Sequence, residues 1–303
     1  MKVLNMRLQY DLLALVLTTM LLASCGGDMQ EIGEIPQDEM IVTEKTSNFK
    51  IDNKVFHLPN PVQISMLMKD IAIPYNKDAL SPISNLENYS TSFKQAVNIG
   101  VYGADLGYIA ANDKNQEALT HLGAVKKLSE ALDVSSAFDF SALEKFGSNV
   151  GDKEKMLSII TGAYKSCANF LTEENRHDLA GLMMAGAMIE GLHFTLSFAN
   201  ADNKQVVIDQ LGAQKQSLDN VILVLNPHYS RTNAPELSSL VDMLVDLQAS
   251  LGGLQTNYSF KESTVDEANK TCTINSTNTF RMNDATLSII TGKVAKIREH
   301  IIS

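Results

Sequence analysis

The feature that most constrains this chain is its similarity to itself. Asp113-Lys-Asn-Gln-Glu-Ala-Leu-Thr-His-Leu-Gly-Ala-Val-Lys-Lys127 resembles Asp202-Asn-Lys-Gln-Val-Val-Ile-Asp-Gln-Leu-Gly-Ala-Gln-Lys-Gln216 at an offset of 89 residues. Upstream, Gly100–Tyr108 lies on Gly186–Phe194 at 86, and Met156-Leu157 falls on Met243-Leu244 at 87. A six-residue string, Leu-Ser-Ile-Ile-Thr-Gly, recurs identically at 157–162 and 287–292, an offset of 130. These offsets sit near two and three multiples of about 43–44 residues, the length of a helical hairpin in solenoid arrays. Duplication of a four-helix block accounts for them equally well. Both readings predict an all-α fold, a helical bundle or a short α-solenoid of hairpins, with repeats at about 85–133 and 174–225.

Periodicity agrees. Leu287, Ile290, Val294, Ile297 and Ile301 recur at three and four residues behind an Asn283-Asp284 start signal, with Lys293, Lys296 and Arg298 complementing the helix dipole. Helices are expected at 62–72, 85–111, 114–133, 138–147, 151–171, 174–200, 203–225, 235–256 and 283–302. Residues 257–281, rich in Ser, Thr and Asn, read as a long loop. Low aromatic content (6%), 13 Met and no Trp suit packed helices.

The first 24 residues carry an address. Lys2 and Arg7 precede an apolar run from Leu12 to Ala23, which ends in Leu22-Ala23-Ser24-Cys25, the pattern of a bacterial lipobox. Residues 1–24 are expected to be a lipoprotein signal peptide, Cys25 the lipidation site, and 25–58 a polar tether with one extended piece at Phe49–Leu58; the all-α domain then covers 59–303. Several acyl chains on Cys25 make a stable anchor where one would be marginal. Gly26 after the Cys, rather than Asp, favours the outer membrane by the enterobacterial sorting rule, with the periplasmic or the surface face left open.

The charge of −10 excludes a nucleic-acid partner, because phosphate binders concentrate Lys and Arg. Loss of residues 1–24 leaves 23 basic and 34 acidic residues, so a body at −11 should contact membrane through its lipid alone. The other expected partner is an envelope protein or a small molecule.

The block Asn98-Ile-Gly-Val-Tyr-Gly-Ala-Asp-Leu-Gly-Tyr108, preceded by Pro61–Asp70 and Tyr89–Val97, resembles uncharacterised lipoproteins of Bacteroidota over residues 59–132. The resemblance implies an envelope location and helical class, and no activity. Imelysin-type proteins carry G-x-H-x-x-E; here Gly191-Leu-His193 begins that pattern, but Leu196 stands at the Glu position.

Asp105 and Glu190 are the single formal charges in the apolar stretches 95–112 and 179–200. Buried acids must be hydrogen-bonded or neutral. With Tyr108 and His193 three residues beyond each, Asp105, Tyr108, Glu190 and His193 form a candidate cluster, lining a pocket or fixing helix register. Glu190-Gly-Leu-His193 has di-iron E-x-x-H spacing, but Gly107 occupies the His position of the first half, so no metal site or cofactor is assigned. Glu117 and His121 read as a solvated i, i+4 pair. Gly100, Gly103, Gly107, Gly181, Gly186 and Gly191 each cost about 1 kcal/mol of helix propensity, which close helix packing would offset. The run Ala180–Ala199 is apolar enough for a membrane span, against which central Glu190 and His193 argue. Cys167 and Cys272 could pair in an oxidising envelope or stay free. Three readings follow: a non-enzymatic, lipid-anchored binding module; an envelope enzyme or metal-binding bundle centred on the cluster; and a structural lipoprotein.

Overall fold

The structure is a computed structural model, and it describes residues 46–51, 54–59, 73–141, 153–229, 235–266 and 271–303. The signal peptide, Cys25, the tether before residue 46, the 62–72 helix and the body of the 138–147 helix lie outside the described residues.

The fold is all-α. Seven α-helices are described: α1 (Ser92–Ala111), α2 (Asn115–Ala131), α3 (Lys153–Glu173), α4 (His177–Ser197), α5 (Lys204–Tyr229), α6 (Pro235–Leu251) and α7 (Asp284–Ile302). Local chemistry sets their ends. The Thr91 hydroxyl caps α1 by accepting from the Lys94 N–H, so this helix starts at residue 92 rather than 85, after a 3₁₀ turn at Ile83–Asn88. Asn283 caps α7 in the same way through the Thr286 N–H. Asp113 and Asn175 turn the chain between helices with positive φ of 59° and 55°, values that Asp and Asn tolerate better than bulkier residues. Helix α6 stops at Leu251, before Gly252-Gly253, and not at 256.

Two regions depart from the expected organisation. Thr46–Ile51 (β1) and Lys54–Pro59 (β2) pair antiparallel, so a hairpin occupies what reads as the end of the tether. The expected loop at 257–281 holds four short strands: β3 (Gln255–Ser259), β4 (Thr264–Asp266), β5 (Thr271–Thr273) and β6 (Thr277–Arg281). Strand β3 pairs antiparallel with β6, and β4 pairs with β5. Among the described residues, those within 43–264 and 273–303 form one compact unit, and 265–266 and 271–272 belong to another.

Within the larger unit, α4 is the central helix, and every residue from Leu179 to Leu192 is buried. It is long and apolar enough to cross a membrane, yet 89% of its most apolar window is buried inside the fold. Its crossing with α1 explains two of the glycines. A Cβ on Gly100 would stand 1.9 Å from the Met183 carbonyl oxygen, and one on Gly186 would stand 1.9 Å from that of Val97. Val97 and Met183 are themselves 86 residues apart, as Gly100 and Gly186 are, so the contact is reciprocal. Gly212 has a different reason: the Phe280 ring of β6 sits where its Cβ would be.

Candidate functional site

Asp105 of α1 and Glu190 of α4 are both fully buried. The Glu190 carboxylate receives two 2.7 Å hydrogen bonds from Arg298 of α7, from Nε to Oε2 and from Nη2 to Oε1. A charge-assisted, two-point contact of this kind is what holds an ion pair in a dry interior. Arg298 Nη2 also reaches the Ala79 carbonyl at 3.1 Å and the Ser81 hydroxyl at 3.0 Å. Burial works against the Arg298 charge, but the hydrogen bond and charge of Glu190 hold its pKa above the ordinary value.

Asp105 Oδ2 accepts from the Ser81 backbone N–H at 3.1 Å. His121 Nε2 lies 3.9 Å from the same oxygen, beyond hydrogen-bond reach. His121 Nε2 is buried without a partner, whereas a protonated Asp105 has the Glu190 side chain within hydrogen-bond reach. Burial, and then the Glu190 charge, push the Asp105 carboxyl well above the carboxylate range, against the smaller opposing effects of the Ser81 N–H and Arg298. Burial lowers the pKa of His121 and of His193, favouring neutral imidazoles.

His193 takes part through the same strap of chain. Its Nε2 lies 3.2 Å from the Ala79 carbonyl and its Nδ1 3.2 Å from Ser197 Oγ. A single neutral tautomer fits, with Nε2–H donating and Nδ1 accepting. Beside His193 and Arg298 opens a cavity of about 380 Å³, bounded also by Asn85, Glu299 and Ile302.

The expected cluster is therefore changed in membership. Asp105 and His193 converge on residues 79–81, Glu190 reaches them through Arg298, and Tyr108 does not join them. Its ring stacks on Phe194, with centroids 4.6 Å apart, and on Tyr75 at 5.3 Å, and its hydroxyl accepts from the Asn76 N–H at 2.9 Å. Tyr108 and Phe194 are a further pair at the 86-residue offset. His121 is not a solvated-face residue: it is 5% exposed, and its Nδ1 bonds the Glu117 backbone carbonyl rather than the Glu117 side chain. Glu117 faces Tyr75 and Lys77 instead.

Arg298, read from sequence as a complement to the helix dipole, is the partner that the lone acid needed. The signal was present: Arg298 follows Val294 by four residues and precedes Ile301 by three, which places a charge at the edge of an apolar stripe.

Among the described residues, no group of three or more His, Cys, Asp or Glu side chains is arranged to hold a metal. The Glu190/His193 spacing is spent otherwise, since both Glu190 oxygens are taken by Arg298 and His193 Nε2 by a carbonyl. Cys167 and Cys272 are both free, the first buried on α3 and the second exposed; burial raises the Cys167 thiol to about 12, which keeps it an unreactive core residue.

Comparison of the chain with protein-family profiles, curated proteins and solved structures finds no match.

Proposed function

We propose that this chain is a lipid-anchored envelope protein of the outer membrane and that it works as a non-enzymatic binding module. The observation that carries the binding half is how the polar cluster is used. Asp105, His193 and Arg298 are turned onto the main chain of residues 79–81, and Glu190 holds Arg298 in place, so the groups best suited to chemistry are engaged in holding a peptide segment. A general acid or base must reach a substrate proton, and Asp105 and Glu190 are both fully buried beneath that segment. The anchoring half rests on Leu22-Ala23-Ser24-Cys25 and on the basic and apolar residues before it. The reciprocal contacts at one offset, Gly100 with Met183 and Gly186 with Val97, support an origin by internal duplication.

Crosslinking the anchored protein in its native envelope tests the reading. A discrete partner protein or small molecule captured by the wild-type chain is the expected result. Stoichiometric iron or zinc in the purified mature domain, lost in His193→Ala, would overturn it in favour of a metal-dependent activity. Cys25→Ala should abolish both palmitate incorporation and partition with outer membranes.

A further inference from the structure

The segment Ala79-Leu80-Ser81-Pro82 is held as a bound peptide would be. Leu80 (φ −72°, ψ 155°) and Pro82 (φ −63°, ψ 124°) have extended, polyproline-II-like backbones. Ala79 ends a 3₁₀ turn, the Leu80 N–H donates to the Lys77 carbonyl and the Pro82 carbonyl accepts from the Asn85 N–H, which leaves the Ala79 carbonyl and the Ser81 N–H without a partner in the local chain and open to recognition. Here they are read by side chains from three helices. The Ala79 carbonyl accepts from His193 of α4 and Arg298 of α7, and the Ser81 N–H donates to Asp105 of α1. The Pro82 carbonyl accepts from the Tyr102 hydroxyl of α1 at 2.8 Å, and the Ser81 hydroxyl lies 3.0 Å from Arg298 Nη2. The Leu80 side chain is buried in the apolar cluster that contains Leu106, Ile109 and Phe194. Main-chain hydrogen bonds for affinity, with a side-chain pocket for specificity, are how extended peptides are recognised between proteins.

This occupant does not satisfy the groove. His121 Nε2 stays buried and unpartnered, 3.9 Å from the Asp105 oxygen that accepts the Ser81 N–H, and His121 Nδ1, bonded to a carbonyl, leaves Nε2 as an acceptor. A better-matched peptide would bring one more hydroxyl or amide N–H to that point. The 380 Å³ cavity beside Arg298 and His193 gives an incoming segment a place to begin.

We propose that the groove crossed by Ala79–Pro82 is a peptide-binding site which the chain fills with its own segment, and that its exchangeable ligand is a short polyproline-II peptide with a Leu-Ser-Pro core. The inference rests on the binding reading above and names its ligand class. The internal segment acts as a competitor, so a ligand binds with an affinity reduced by the fraction of molecules whose groove is open.

The test uses the full chain and a labelled synthetic peptide, Asn-Lys-Asp-Ala-Leu-Ser-Pro-Ile-Ser-Asn, copied from residues 76–85. Leu80→Ala in the protein weakens the internal occupant and should raise peptide affinity at least about tenfold. Adding Arg298→Lys to that variant should remove the gain, and a peptide carrying Ser81→Ala should bind more weakly. A Leu80→Ala protein of native helicity that binds no better than wild type, or a gain that survives Arg298→Lys, overturns the proposal. Where Leu80→Ala fails to fold, the wild-type chain decides. Saturating isotope-labelled peptide should accelerate deuterium uptake in the fragment spanning residues 76–86, and unchanged uptake overturns the proposal. Native-envelope crosslinking is scored independently, so a partner captured at another surface would sink the groove and leave the binding module standing.

Discussion

Helices α1 and α4 meet the rest of the molecule in two ways within two turns of each other. At Gly100 and Gly186 the two backbones touch, with no side chain between them. At Asp105 and Glu190 the same helices present buried carboxyls to Arg298 and to the segment 79–82. The first junction depends on small residues and van der Waals contact, and nothing in it titrates. The second depends on hydrogen bonds and a desolvated ion pair, and leaves the buried His121 Nε2 without a partner. A helix pair can thus be rigid at one point and incompletely satisfied a turn or two away, and each property can be broken without the other.

The largest effect should come from the polar junction. Arg298→Ala strands Glu190 as an uncompensated buried charge and removes the Nη2 contacts to Ala79 and Ser81, so a loss of about 3–5 kcal/mol is expected. For a body of this size that is a fall in Tm of roughly 10 °C by calorimetry. Glu190→Leu combined with Arg298→Met should recover most of it, because an apolar pair of similar volume can replace a buried ion pair. What the double variant fails to recover measures how much of Arg298 serves the segment rather than the acid. Full recovery would show that the segment needs no cation.

The backbone junction should break by a smaller amount and without any pH dependence. Gly100→Ala drives a methyl to 1.9 Å from the Met183 carbonyl oxygen, so the helices must separate, at a cost on the order of 2–3 kcal/mol. Gly186→Ala should cost the same, given the reciprocal geometry. The double variant should cost less than the two single losses combined, since one displacement relieves both clashes. Gly103→Ala is the control on the same helix: its Cβ would meet only Tyr164 Cδ2, at 3.8 Å, so it should stabilise by up to about 1 kcal/mol. Equal losses at Gly100 and Gly103 in chemical denaturation would mean that propensity or global packing, not the crossing, sets the cost.

The two junctions were unequally legible in the sequence. The glycines stand out within one helix, because a residue that costs helix propensity inside an apolar run needs a local reason. Asp105 and Glu190 stood out for the same local reason, as lone charges. Their partners did not: Arg298 lies 108 residues from Glu190 and 217 from Ser81, and no helical period links them. Tyr108 sits at the right spacing from Asp105, but its ring stacks on Phe194, and such a choice is made in three dimensions. The strands at 255–281 were missed for another reason. Strand β3 is exposed along its whole length, and only Phe280 of β6 is partly covered, so the alternation that marks a half-buried strand is missing.

Asp105 gives the smallest effect and the sharpest distinction. Its carboxyl is raised in the folded state, chiefly by burial, and is ordinary, near 4, in the unfolded chain. Above that pH the unfolded state loses a proton that the folded state keeps, so this group's contribution to stability declines as pH rises, until the folded-state pKa is passed. Asp105→Asn keeps an oxygen to accept the Ser81 N–H and cannot ionise. The variant should therefore match the wild type near pH 4 and become the more stable protein toward pH 7, flattening the denaturation midpoint between them. His121 and His193 oppose this trend in both proteins: their lowered pKa values mean that stability is lost as pH falls below about 6.5, when the unfolded imidazoles take up protons. A wild type and an Asp105→Asn variant whose midpoints run parallel from pH 4 to 7 would show that Asp105 is ionised in the fold. The ion pair would then extend to His121, and the polar junction would be satisfied, as the glycine crossing is.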